Sequence, residues 1–178
     1  MTLPDQAEIP RMLIDDLDGG FSLMVHVFQP GIYSGAYRLT HHRQDAQEVA
    51  QDTFVRAYLA LERYDSERIA SLQIRPWLWT IALNLCRNRA TRAKPTTPLP
   101  SEDFVATIDE EPFDHDGWNA RLTPLPEPQR TAVVLRHVVD LPISEIVAIT
   151  QRPEGTVKTD ISRGLTRLRK ILEMEEAI

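Results

Sequence analysis

The side chains best suited to chemistry are grouped near the C-terminal end: Thr156, Thr159, Ser162, Arg163, Thr166 and Lys170 recur at helical spacing. On a helix they share one face, and short hydroxyls and cations are the groups that reach base edges and phosphates without a large desolvation cost. That chemistry is recognition of a duplex. Between Arg152 and Lys170 six cations stand against Glu154 and Asp160, a local charge of +4 in a chain whose net charge is −6. Phosphates respond to that local charge, because salt screens fields beyond about 10 Å. A second group, Trp77, Trp79, Asn84, Arg87, Asn88, Arg89 and Arg92, puts cations and amides beside aromatic rings. That mixture suits single-stranded nucleic acid, where bases stack on rings and cations follow phosphates.

The elements that must hold the first group are legible. Pro142 opens a helix whose Ile143, Ile146, Val147 and Ile149 fall on one side; Thr150, Gln151 and Arg152 break the pattern. Pro153 opens a second helix, with Val157, Ile161, Leu165, Leu168 and Leu172 predicted to face the core. This is the layout of a helix-turn-helix, and Leu122, Leu125, Ala132, Val133, Leu135, Val138 and Val139 are its expected supporting core. In the N-terminal half, Phe21, Val25, Phe28, Ile32, Ala36 and Leu39 form a helical stripe that Pro30 bends or divides. Asp45 and Glu48 resemble a capping box for a helix through Leu61, and Pro76 opens a third helix with Trp77, Leu78, Ile81, Ala82 and Leu85 buried. That spacing sends Trp77 to the core and leaves Trp79, on another face, unassigned. No strand signal of useful length appears, so the fold expected is all-α.

Charge divides the chain. Residues 1–92 hold ten Arg against eleven acids, and residues 117–178 hold nine cations against eight acids. Between them Lys94 faces seven acids in a stretch rich in Pro, Ser and Thr, which reads as a flexible acidic linker. No apolar run approaches the roughly 20 residues of a membrane span and the first residues lack a signal-peptide pattern, so a cytoplasmic protein is expected. Cys86 has no second cysteine and is expected to pack as a small hydrophobe. Asp114, His115 and Asp116 cannot easily converge on one ion from adjacent linker positions. His41 and His42 read as a solvated helix end, and His137, beside Val138, as partly buried packing. No phosphate-cradling glycine loop, nucleophile elbow or HExxH motif is present. No catalytic residue, metal site or cofactor is therefore expected.

Asp45–Tyr58 (DAQEVAQDTFVRAY), Arg75–Arg89 (RPWLWTIALNLCRNR) and Leu141–Lys170, in that order, resemble the extracytoplasmic-function group of bacterial RNA polymerase sigma factors. The resemblance implies sigma region two over residues 13–93, a linker over 94–117 and sigma region four over 118–178. It implies that region two binds core RNA polymerase through Glu48, Gln51, Asp52, Phe54 and Tyr58, on the clamp of the β′ subunit. Region two would also open the minus-ten promoter element, with Asn84, Arg87, Asn88 and Arg92 nearest the strand and the 66–73 loop holding a flipped-out base. Region four would rest on the flap of the β subunit and read minus-thirty-five DNA with Lys158, Thr159, Ser162 and Arg163. An anti-sigma partner is permitted by the resemblance.

Two positions depart from the family's pattern. Asp160 stands where arginine is usual, and a carboxylate facing DNA would repel phosphate or accept from a cytosine amine. Gln151 replaces the small residue common in the turn. A free-standing helix-turn-helix regulator is the alternative; it would bind its promoter tightly without polymerase, whereas a sigma factor starts transcription only with it.

Overall fold

A computed structural model describes residues 8–92 and 115–177, except the side chains of Arg92, His115 and Asp116. The expected linker lies almost wholly outside the described residues, as does the Asp114–Asp116 cluster, and Arg92 is described only as the backbone end of its helix. The described residues are helical with no strand: α1 (Ile9–Asp15), α2 (Leu17–Thr40), α3 (Arg43–Leu61), α4 (Ser66–Ala70), α5 (Ile74–Arg92), α6 (His115–Leu122), α7 (Glu127–Val133), α8 (Ile143–Thr150) and α9 (Glu154–Glu176). A π-helical turn, Val134–Val138, continues α7. Among the described residues no helix is long and apolar enough to cross a membrane.

In the N-terminal block α2, α3 and α5 pack together, with α1 lying on α2. Pro30 does not divide α2, which runs unbroken to Thr40. The crossing of α1 and α2 depends on Gly20, since a methyl there would stand 2.6 Å from the Leu13 backbone nitrogen. Ala46, Val49, Ala50, Thr53, Phe54, Ala57 and Leu61 form the buried side of α3, and Thr53 satisfies its hydroxyl by donating to the Val49 carbonyl at 2.7 Å. The expected capping box does not form: α3 starts at Arg43 without a side-chain cap. Asp45 and Glu48 are drawn instead to Arg89 of α5, where an ion pair offers each carboxylate more than one exposed amide would.

In the C-terminal block α9 packs on α7 and α8. Its inner stripe is Val157, Asp160, Gly164 and Leu168, with Ile161 and Ile171 half-buried. Leu165, expected inside, is exposed. Gly164 takes the inner place because the helices approach too closely for a side chain: a Cβ there would lie 2.6 Å from Val133 Cγ2. Val138 and His137 are likewise exposed rather than packed, because the wider π turn rotates them outward.

The two blocks share one hydrophobic core, running from Ile9 to Leu168. Helix α5 lies between α3 on one side and α8 on the other, which accounts for buried residues around much of its circumference: Ile74, Leu78, Trp79, Ala82, Leu83, Leu85 and Cys86. Structure settles the tryptophan that spacing leaves unassigned and moves the other part-way out of the core. Trp79 is buried, whereas Trp77 is half-buried with its ring 6.1 Å from that of Tyr64. Trp79 fits because α2 carries Gly35 opposite it; a methyl at Gly35 would meet Trp79 Cη2 at 2.3 Å and Val139 Cγ2 at 2.9 Å.

Candidate nucleic-acid interface

The C-terminal surface is built on α9. With Val157, Gly164 and Leu168 turned inward, Lys158, Thr159, Ser162, Arg163, Thr166, Arg167, Arg169 and Lys170 are all exposed. The four residues expected at minus-thirty-five DNA, Lys158, Thr159, Ser162 and Arg163, thus share a solvent face in the first half of the helix. Thr159 donates its hydroxyl to the Gly155 carbonyl at 2.8 Å, and Thr166 donates to Ser162 at 2.9 Å. Each hydroxyl spends its proton on the helix's own carbonyl, so what it can offer a partner is an acceptor oxygen. Lys158 pairs with Glu154 at 2.5 Å, and that ammonium holds the Glu154 carboxyl below the usual carboxylate range.

Asp160 does not join this face. It is buried, and its carboxylate accepts from Arg152 Nη1, a residue of the turn. The repulsive contact with phosphate expected at Asp160 is corrected: the acid ties the turn to the helix. Gln151 occupies the left-handed region at φ 56°, and its Nε2 donates to the Ala148 carbonyl at 2.7 Å. A side-chain amide able to close back on the preceding helix lets a non-glycine residue end α8 there.

The N-terminal surface has a different character. Asn84 and Asn88 are exposed on α5, and Arg87 is half-exposed and paired with Glu127 at 2.9 Å. The 66–73 loop includes the short helix α4, capped by Asp65, whose Oδ1 accepts from the Arg68 amide at 2.8 Å. Arg68 stacks over Tyr64, 3.8 Å from the ring centroid. Ser71, Leu72 and Gln73 line a cleft of about 390 Å³ with Phe28, Arg75 and Glu145.

The residues expected at the polymerase clamp divide by environment. Glu48 and Asp52 converge with Asp45 on the Arg89 guanidinium at 2.6, 3.7 and 3.3 Å. Burial opposes the Arg89 charge, and the three carboxylates, Glu48 foremost, more than offset it, so its pKa is raised. Gln51 is exposed. Tyr58 is half-buried, donating its hydroxyl to Asp18 at 2.8 Å with its ring edge-on to Phe21 at 4.9 Å. Phe54 is buried edge-on to Phe21, so its ring supports the surface from behind. Val55 and Leu59, which the motif does not single out, are the exposed apolar residues of this helix, 52% and 49% accessible. They follow Gln51 along one i+4 row.

Cys86 is buried, and burial pushes its thiol up to about 12, in keeping with packing as a hydrophobe. His41 departs from expectation. It sits at φ 60° at the end of α2, its ring nitrogens are buried without a hydrogen-bond partner, and burial with the nearby Arg130 charge lowers its pKa to about 4. The ring is thus not the solvated helix end that the sequence suggests. Arg38, buried in α2, donates to Asn119 Oδ1 of α6 at 3.2 Å. Sequence reasoning misses it, because nothing in the local pattern marks an arginine as interior.

Two family models match the chain: sigma-70 region 2 over residues 24–96 and sigma-70 region 4 over residues 120–168. The ECF RNA polymerase sigma factor SigW of Bacillus subtilis is 30% identical over 173 residues, covering 85% of this chain and 88% of the relative. The RNA polymerase sigma-H factor of Pseudomonas aeruginosa is 30% identical over 186 residues, covering 95% and 94%. Among solved structures, CnrH in complex with the cytosolic domain of CnrY aligns at TM-score 0.72 and 21% identity, covering 94% of this chain and 97% of that one. The sigma factor RpoE in complex with the anti-sigma factor NepR from Bartonella quintana aligns at TM-score 0.64 and 21% identity, covering 90% and 98%.

Proposed function

The chain belongs to the sigma-70 family, in its extracytoplasmic-function group, and from that premise we propose how its two helical blocks divide the work of a promoter-specificity subunit. It is an RNA polymerase sigma factor: it binds core polymerase and directs initiation at chosen promoters. It works in the cytoplasm, contributes no catalytic group, and uses binding energy alone.

Region four reads minus-thirty-five DNA with Lys158, Thr159, Ser162 and Arg163. The observation that carries this reading is the cationic solvent face of α9, from which Asp160 is withdrawn. Region two opens the minus-ten element: Asn84, Arg87, Asn88 and Arg92 line the strand, and the cleft beside Ser71–Gln73 receives an extruded base. Unstacking a base costs a few kcal/mol, which stacking and hydrogen bonds in such a cleft can return. On α3 the clamp meets a surface of Gln51, Val55 and Leu59 bordered by Glu48, Asp52 and Tyr58, with Phe54 as the packing beneath. An apolar pair rimmed by acids matches the anatomy of a transient interface. An anti-sigma protein is a fitting regulator, since two structural neighbours were solved in complexes, one of them with an anti-sigma factor.

The test is a core-polymerase binding titration. Val55→Asp with Leu59→Asp should weaken binding at least tenfold while leaving the thermal midpoint within about 2 °C, as for exposed substitutions. Undiminished affinity in that variant would remove α3 from the clamp interface.

A further inference from the structure

Three carboxylates of α3 converge on one side chain of α5. Asp45, Glu48 and Asp52 stand at i, i+3 and i+7, so they share a narrow face of their helix. Their oxygens lie 3.3, 2.6 and 3.7 Å from the guanidinium nitrogens of Arg89. The Arg89 side chain keeps 26% of its accessibility and the acids 40%, 45% and 49%, so the cation sits deeper than the groups it holds. Its stem is anchored, because Leu85 and Cys86, one turn back on α5, are buried. Glu48 is held at both oxygens: Oε2 by Arg89, and Oε1 by Gln44, whose Nε2 donates at 3.4 Å. Beyond the acids the same face becomes apolar. From Glu48, Asp52 lies at i+4 and the exposed Val55 and Leu59 at i+7 and i+11, which makes the four a single strip along α3.

Resting on the reading of α3 as the clamp surface, we infer that Arg89 is a positioning residue for the polymerase contact: it holds Glu48 and Asp52 beside Val55 and Leu59, ordered for a cationic partner that Arg89 itself does not touch. One guanidinium against three carboxylates leaves the cluster net negative, and a carboxylate accepts more hydrogen bonds than Arg89 supplies. Room for the partner's cation therefore remains. Without Arg89, acids three and four residues apart repel each other, and each regains rotamers that binding would have to freeze. Taken as charge alone, Arg89 opposes a cationic partner; taken as a brace, it favours one. The two effects separate in the rates, because net charge governs encounter and the order of close contacts governs residence.

The test is association and dissociation kinetics of the full chain with core polymerase. Arg89→Gln should raise koff roughly fivefold or more, while kon does not fall and declines more steeply with salt, since the surface has become more acidic. Arg89→Lys keeps the charge on a stem that cannot fork among three acids, and should raise koff roughly twofold or more. In a chain already carrying Glu48→Gln and Asp52→Asn, adding Arg89→Gln should change koff by less than about twofold, because nothing remains to be positioned. A residue needed only for the fold would cause the same loss in both backgrounds. A parental koff in both Arg89 variants, or an increase that persists in the Glu48→Gln, Asp52→Asn chain, overturns the inference. Binding by the parent with the variants unchanged removes the role of Arg89 alone; no binding by the parent removes the clamp reading with it.

Discussion

Replacing Asp160 with alanine separates two roles that the sequence alone leaves confused. If the carboxylate faced DNA, its loss would strengthen promoter binding and alter base preference. The structure instead engages it with the turn. Asp160 retains 12% of its side-chain accessibility and Arg152 33%, so their ion pair is largely shielded on one side and open on the other. Breaking a fully buried pair by removing one partner costs about 3–5 kcal/mol. Arg152 can regain water once released, so the loss here should be about 2 kcal/mol. Because the two blocks share one core of roughly 150 residues, that lowers the thermal midpoint by about 4–8 °C. Circular-dichroism melts of Asp160→Ala, Arg152→Ala and the double variant form the assay, and the double variant should lose less than the two singles together. In run-off transcription below the midpoint, the variant should keep the parent's promoter preference. An unchanged midpoint with altered upstream base preference would refute the reasoning.

Gly35→Ala should cost about 1–3 kcal/mol, because the new methyl meets a buried indole with no room to retreat; thermal melts of parent and variant measure it. His41 is held neutral in the fold, with its pKa lowered from 6.5 to about 4. Its contribution is complete above the unfolded value and is lost as pH falls from 6.5 toward 4. Allowing for solvent screening at a partly buried residue, that loss should be about 1–2 kcal/mol, and His41→Asn should flatten the slope of denaturant stability against pH in that window.

The helix-turn-helix is legible because its start signals, break and apolar spacing lie within thirty neighbouring residues and agree with one another. So is the division into two helical blocks. What escapes is set by partners distant in sequence. Trp79 is interior because Gly35 and Val139 close over it, and neither lies near it in the chain. Leu165 is outside because Gly164 is the residue small enough to meet Val133, so the inner stripe runs through Gly164 rather than Leu165. Asp45 and Glu48 satisfy the pattern of a helix cap, but Arg89, forty-four residues beyond Asp45, claims the carboxylates. By position alone Asp160 reads as a recognition residue; its partner Arg152 is near in sequence, but spacing says nothing of which way a side chain turns. Among the clamp residues the aromatic ring of Phe54 suggests an anchor, although the 3.6-residue period of its own helix places Val55 and Leu59 on the solvent side.

The most direct measurement is run-off transcription with purified core polymerase on genomic promoter fragments, with start sites mapped in the presence and absence of the chain. Discrete starts that depend on the chain, and that weaken with Arg163→Ala, are the predicted result. No chain-dependent initiation and no association with core polymerase, even alongside tight binding of α9 to duplex DNA, would contradict the account and leave a free-standing regulator in its place.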